Sequence, residues 1–273
     1  MFKNILLPTD GSDYSLTASK YAIELAKLYG AVVHGLSVVN VKLTHGALIA
    51  DLSTVVRLAP RQVEEVLQDK GMNVLEELKQ NCKQAGVKCR TSSSMGIVGD
   101  SICEHAKIAD IIVMGKYGDS GKWAGPLLGS VTEMVVREAD KPVLLVSNEY
   151  QPIERILMAY DNGRSANYTL HFAGDLAMKL KVPITVLVVS DDLEEAASTL
   201  EEAQTYLEAY ELEVDYVLKE GEPAGEILLE AKEKNISLIA MGAYGHNIRE
   251  FILGSITEHV MRAASCPVLL YRY

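Results

Sequence analysis

The chain has 273 residues, 48% of them hydrophobic and 23% charged, an ordinary globular mixture able to bury a full core. Its net charge of −11 and pI near 5.1 set a surface that repels phosphate backbones, which argues against a general nucleic-acid role. A local anion site built from backbone N–H groups needs no net positive charge and stays open.

The first half reads as alternating strands and helices. Asn4–Pro8 is a short apolar strand, and Ser12–Tyr29 a helix with Ala18, Tyr21, Ala22, Leu25 and Leu28 on one stripe and Gly30 as its stop. Ala31–Val39 is rich in β-branched residues and reads as a strand buried on both faces. Leu43–Pro60 is mixed in character. Arg61–Ala85 is a long helix with a stripe of Val63, Val66, Leu67, Met72, Leu75 and Leu78. Val87–Ser94 alternates like an edge strand. Ile97–Ala109 is a helix, Asp110–Met114 a strand, Ser130–Ala139 a helix and Val143–Val146 a closing strand.

The second half repeats the pattern with a shorter middle. Strands are expected at Arg155–Ala159, Ile184–Val189, Leu212–Leu218, Ser237–Met241 and Val268–Tyr271. Helices are expected at Ser165–Leu180, Leu193–Tyr210, Glu222–Lys234 and Ile252–Ala263. The halves also match locally. Ile5-Leu6-Leu7-Pro8-Thr9-Asp10 answers Ile156-Leu157-Met158-Ala159-Tyr160-Asp161, Met114-Gly115 answers Met241-Gly242, and Pro142-Val143-Leu144-Leu145 answers Pro267-Val268-Leu269-Leu270. The chain therefore reads as a tandem duplication, with domains over 1–148 and 153–273 and the extra length of the first near 43–60. Such alternation implies βαβ units and a parallel sheet with helices on both faces. The apolar closing strands Val143–Val146 and Val268–Tyr271 are edges that invite pairing.

Cys82, Cys89, Cys103 and Cys266 form no CxxC and have no histidine at zinc spacing, so reduced thiols in a cytoplasmic protein are expected. The opening MFKNILLPTD has too short an apolar run for a signal peptide, and no run reaches the length of a membrane span.

Open parallel sheets bind ligands beyond the carboxyl ends of the strands, where strand order reverses. Two loops per half carry unusual residues there. After the first strand stands Asp10, and Asp161 in the repeat, a carboxylate suited to a sugar hydroxyl or an amine edge. After the fourth strand stand Gly115 and Gly118, then Gly129-Ser130, repeated as Gly242, Gly245 and Gly254-Ser255. Glycine loops running into a helix start suit phosphate. Each feature alone has a structural explanation. Asp10 caps a helix, the glycines make turns, and Ser130-x-x-Glu133 and Ser255-x-x-Glu258 are capping boxes. Their joint occurrence, twice, favours a nucleotide site. Lys116 and Lys122 reach a terminal phosphate or are simply solvated, Trp123 anchors or covers its loop, and His246 is a lone loop histidine. A Walker-type Lys–Ser/Thr pair is absent, and no nucleophile–base pair or paired carboxylates stand near either loop.

This combination resembles the universal stress protein family in its tandem, two-domain form, from Asn4 to Tyr273. ATP-binding members carry G-x2-G-x9-G-[ST] after the fourth strand. Here the first half has Gly115-x2-Gly118-x10-Gly129-Ser130, one residue longer, and the second Gly242-x2-Gly245-x8-Gly254-Ser255, one residue shorter. The resemblance implies an α/β fold of two tandem open parallel five-stranded sheets in the order 3-2-1-4-5, of the adenine-nucleotide alpha hydrolase-like kind. It implies ATP, or AMP or ADP, as ligand, with Mg2+ carried by the nucleotide, and a regulatory role in the stress response. Weak ATP hydrolysis or self-phosphorylation is the most catalysis it supports. Carried over by motif, Pro8, Thr9, Asp10 and Val38 form the adenine–ribose side of the first site, with Met114, Gly115, Gly118, Gly129, Ser130 and Val131 on the phosphate side. In the second, Asp161 and Val188 face Met241, Gly242, Gly245, Gly254, Ser255 and Ile256. Tyr160 replaces the small Thr9 and is expected to crowd adenine, which favours the first half.

The resemblance also implies that the closing strands of the two halves pair as an internal pseudo-dimer. A homodimer through 43–60 and an unknown protein partner are further expectations. Two other readings stand beside this one. An interaction module of the same fold that has lost nucleotide binding fits the irregular loop lengths. An ATP pyrophosphatase would need a Ser-Gly-Gly-x-Asp-Ser loop where Pro8-Thr9-Asp10-Gly11-Ser12 stands.

Overall fold

The computed structural model describes residues 2–40, 60–118, 128–243 and 254–272. The first half contains β1 (Asn4–Pro8), α1 (Asp13–Tyr29), β2 (Val32–Asn40), α2 (Pro60–Gln84), β3 (Lys88–Gly96), α3 (Val98–Ala106), β4 (Ile111–Gly115), α4 (Ser130–Glu138) and β5 (Val143–Val146). The second contains β6 (Ile156–Ala159), α5 (Arg164–Leu180), β7 (Ile184–Val189), α6 (Leu193–Leu207), β8 (Val214–Lys219), α7 (Pro223–Glu233), β9 (Leu238–Gly242), α8 (Ser255–Ala263) and β10 (Val268–Tyr271). The expected homodimer segment at 43–60 lies outside the described residues, apart from the first residue of α2.

The strands follow the order β3-β2-β1-β4-β5-β10-β9-β6-β7-β8 in one continuous sheet. Each half carries the expected 3-2-1-4-5 order and is parallel within itself. The two are joined by one antiparallel pair, β5 against β10, with Val268 opposite Leu145 and Leu270 opposite Val143. Each apolar closing strand thus covers the other's edge, which removes the exposed ladder that either half alone would present. The internal pseudo-dimer expected from the sequence is this pairing.

Two apolar layers follow from strand alternation. One face of the sheet packs α1, α2, α5 and α6 around residues such as Ile5, Leu7, Met158 and Val188. The other packs α3, α4, α7 and α8 around Leu6, Leu36, Leu157 and Leu187. Both layers run through the two halves without a break. Successive residues of a strand point to opposite faces, so each strand feeds both layers and reads as an unbroken apolar run.

Local signals set the helix ends. Ser12 caps α1 by accepting from the Ser15 amide, and Gly30 ends it in the left-handed region at φ 63°. Glycine adopts that conformation without the penalty a Cβ brings. Asp192 caps α6, and Glu222 caps α7 with Pro223 in its first turn. The helix expected at Leu193–Tyr210 stops at Leu207, and that expected at Ile97–Ala109 covers only Val98–Ala106. No helix among the described residues is long and apolar enough to cross a membrane.

Candidate functional site

Strand order reverses between β1 and β4, and again between β6 and β9. The residues that end β1 and β4, and those that end β6 and β9, lie side by side at these two places. In the first half, a Cβ on Gly118 would sit 2.7 Å from Asp10 Oδ2. Gly118, after β4, therefore lies against the carboxylate after β1, as the sequence implies. Asp10 does not cap α1. Its Oδ1 accepts from the Ser12 amide at 3.0 Å and the Ser12 hydroxyl at 2.6 Å, fixing the turn that precedes the cap. Asp161 does the same with the Gly163 amide at 2.9 Å.

The helix starts differ from the expected capping boxes. The N-cap of α4 is Gly129, and that of α8 is Gly254; neither receives a side-chain cap bond. Ser130 and Ser255 fall one position later, exposed in the first turn. Glu133 and Glu258 turn forward to pair with Arg137 and Arg262 one helical turn on. The amides of Ser130, Val131 and Thr132 thus lack intrahelical acceptors, as do those of Ser255, Ile256 and Thr257. That is the chemistry of an anion site at a helix N-terminus.

Buried threonines hold these helix starts in place. Thr132 Oγ1 lies 3.2 Å from the Gly115 carbonyl and 3.0 Å from that of Lys116. Thr257 Oγ1 lies 3.4 Å from the Gly242 carbonyl and 3.1 Å from that of Ala243. Each threonine ties the N-terminus of a helix to the end of the fourth strand of its half. The repeated Ser-x-Thr-Glu marks both in the sequence, without showing what they hold.

Gly115 and Gly242 have a steric reason to be glycine. A Cβ on Gly115 would lie 2.5 Å from Tyr14 Cβ, and one on Gly242 2.9 Å from the Ala166 amide nitrogen. The strand ends therefore press against the first helix of each half. The next amides, of Lys116 and Ala243, are engaged by the Val146 and Tyr271 carbonyls. Among the described corner amides, those of the helix starts are the ones without an intrahelical acceptor.

In the second half the corner borders a partly open cavity of about 110 Å³. A cavity of roughly 150 Å³ accommodates a benzene ring, so this void is on the scale of one aromatic ring. Ala159, Tyr160, Asp161 and Leu187 line one side, with Val189, Pro223 and Ile227, and Met241, Gly242 and Ile256 line the other. The apolar walls suit a flat ring; Asp161 and the α8 N-terminus supply the polar rim.

Register corrects one expected residue. Thr9 donates its amide to the Leu36 carbonyl, and Tyr160 donates its amide to that of Leu187. Leu36 and Leu187 are therefore equivalent, and the counterpart of Val38 is Val189, not Val188. A slip of one residue flips a side chain to the other face. Val188 is buried in the α5–α6 layer, whereas Val189 lines the cavity. Val38, Met114 and Val131 pack on the matching face of the first half.

The same alternation turns the Tyr160 ring inward. Its ring is buried in the α5–α6 layer, and its hydroxyl bonds Asn162 and Asn167. Tyr160 nonetheless borders the cavity beside Asp161. Thr9 likewise turns under α1, 3.3 Å from the Ser15 hydroxyl.

Lys116 is neither a phosphate ligand nor a solvated side chain. It is 3% exposed, and its Nζ donates to the Ala264 carbonyl at 2.6 Å. Burial lowers its pKa to about 8, against a smaller opposing effect of the Cys266 thiol. Gly245, Lys122, Trp123 and His246 lie outside the described residues.

The profile of the universal stress protein family matches residues 1–147 and again 152–272. A universal stress protein of Synechocystis sp., Slr1230, is 30% identical over 290 residues, covering 99% of this chain and all of that protein. MJ0531 of Methanocaldococcus jannaschii, also a universal stress protein, is 40% identical over 148 residues, covering 54% of this chain and 82% of its own. Among solved structures, a universal stress protein from Archaeoglobus fulgidus superposes with a TM-score of 0.79 at 27% identity, over 98% of both chains. Duplicated corners, one continuous sheet and a family profile matched twice agree: the chain belongs to the universal stress protein family.

Proposed function

We propose that the protein binds an adenine nucleotide, ATP or AMP or ADP, at the corner in each half, and that occupancy is its regulatory signal. One observation carries this reading. An uncapped helix N-terminus and a carboxylate flank an apolar cavity on the scale of one aromatic ring, at the point where strand order reverses. A base fills the cavity, Asp161 takes a ribose hydroxyl, and the amides at the start of α8 take phosphate. Asp10, Val38, Met114, Ser130 and Val131 do the corresponding work in the first half. Mg2+ arrives with the nucleotide.

Each half, 1–148 and 153–273, is a binding unit, and β5–β10 pairing makes the chain its own dimer. Four free cysteines fit a reducing, cytoplasmic setting. Thermal melting tests the ligand. A ligand at 100 times its Kd adds about 2.7 kcal/mol to stability, so saturating ATP with Mg2+ raises Tm by several degrees. GTP gives a smaller rise, and equal shifts with both would remove the adenine assignment.

A further inference from the structure

Lys116 belongs to both halves. Its main chain is part of the first corner. Its carbonyl accepts from Thr132 Oγ1 at 3.0 Å and from the Gly129 amide at 3.4 Å, so it holds the start of α4. Its side chain crosses the sheet junction and ends 2.6 Å from the carbonyl of Ala264, the C-cap of α8. The N-terminus of that same helix forms the second corner. A cation at a helix C-terminus complements the dipole that its N-terminus offers to an anion. α8 has nine residues, which makes it about 13 Å long.

A second contact runs the other way. Arg272 bonds the carbonyl of Arg137, in the last turn of α4. Arg272 directly follows Tyr271, whose carbonyl takes the Ala243 amide. Each half therefore places a cation at the far end of the other half's phosphate-facing helix. The arrangement is not symmetric. Ala243 occupies the place of Lys116 in the repeat, with its carbonyl held by Thr257, and has no side chain to reach across. Burying a lysine ammonium with a carbonyl as its partner costs stability. Packing alone would favour an apolar residue there.

We propose that Lys116 couples the two corners, so that an anion seated at one changes the affinity of the other. The proposal rests on the nucleotide reading for its ligand, and on the contacts above for its path. A shift of the α4 start moves the Lys116 carbonyl, and the ammonium of the same residue then moves against the C-terminus of α8. Linkage makes the effect reciprocal.

The test uses the full chain with two variants. Ile256→Trp fills the second cavity, and Lys116→Met removes the bridging cation while keeping an unbranched chain. Calorimetry with ATP and Mg2+ reads the affinity of the first corner. In the wild-type background Ile256→Trp changes it by about fivefold or more, and in the Lys116→Met background by less than about twofold. Equal changes in both backgrounds overturn the coupling. Amide hydrogen exchange of the ligand-free protein gives an independent reading. Thr132→Val removes the shorter of the two bonds on the Lys116 carbonyl and speeds exchange in the last turn of α8, an effect abolished by Lys116→Met. Absence of that acceleration, or its persistence with Lys116→Met, overturns the proposal. If no variant takes up ATP, the nucleotide reading fails instead, and exchange alone decides the coupling. Lys116→Leu serves as a second variant without the bridging cation should Lys116→Met fail to fold.

Discussion

The two corners share a frame and differ in what they carry. In both, a buried threonine ties a helix start to the end of the fourth strand, a glycine presses that strand against the first helix, and an aspartate fixes the opposite turn. The residue after the strand differs: Lys116 in the first half, Ala243 in the second. The residue before the aspartate also differs, Thr9 against Tyr160, yet both hydroxyls bond polar groups at the start of the first helix of their half. The comparison shows which positions the fold demands and which are free. Positions that hold the corner together are kept between the halves, whereas the side chains that point away from it diverge.

The strongest way to break the shared frame is at the glycines. Gly115→Val places a branched side chain where a single Cβ already lies 2.5 Å from Tyr14 Cβ. Overpacking of this kind costs about 3 kcal/mol. Gly242→Val meets its nearest neighbour at 2.9 Å and costs somewhat less. Urea denaturation of both variants checks the order, and a neutral Gly115→Val would remove the close-approach argument.

Next comes the difference itself. The pKa of Lys116 is lowered by burial to about 8 from the usual 10.5. The unfolded chain therefore binds more protons across that window, and this group makes stability rise with pH there. Below it the buried charge costs about 3 kcal/mol at full strength. Lys116→Met removes that cost but also the hydrogen bond to Ala264, so the variant is more stable than wild type by about 2 kcal/mol at pH 7. The advantage shrinks as pH rises from 8 to 10.5. Denaturation at pH 7 and pH 10 measures it, and a pH-independent difference would contradict the account.

Smaller effects sharpen the comparison further. Thr132→Val and Thr257→Val each lose a buried hydroxyl clamp, at about 1 kcal/mol apiece. Thr132→Val costs slightly more, because it also loosens the residue that reaches into the second half. Smallest in stability is Val189→Ala, a few tenths of a kcal/mol at a half-buried position. It weakens the second site about threefold, whereas Val188→Ala destabilises the fold and leaves affinity alone. Denaturation and ATP titration of the pair separate the two faces of β7.

Much of this was legible in the sequence. Apolar runs of four or five residues between glycine-rich loops marked the strands, and the recurrence of Met114-Gly115 as Met241-Gly242 marked the duplication. The apolar closing strands marked edges open to pairing, and the family resemblance implied that they pair with each other. What escaped depends on geometry finer than such patterns carry. Val188 and Val189 are adjacent apolar residues of a strand buried on both faces, so composition does not say which faces the cavity; a backbone bond from Tyr160 to Leu187 does. The Ser-x-x-Glu pattern is written in the sequence but not formed, because the helix starts one residue earlier and each glutamate finds an arginine one turn ahead. Lys116 sits in a loop-like stretch of polar residues, where a lysine is ordinarily solvated. Its partner is nearly 150 residues away, and only the joining of the two halves brings that carbonyl within reach.

The most direct test is the stoichiometry of nucleotide uptake. Calorimetric titration of the whole chain with ATP and Mg2+ should saturate at two equivalents, and at one after Ile256→Trp closes the second cavity. No heat at any concentration, or an unchanged stoichiometry in the variant, would contradict the assignment of these corners as nucleotide sites.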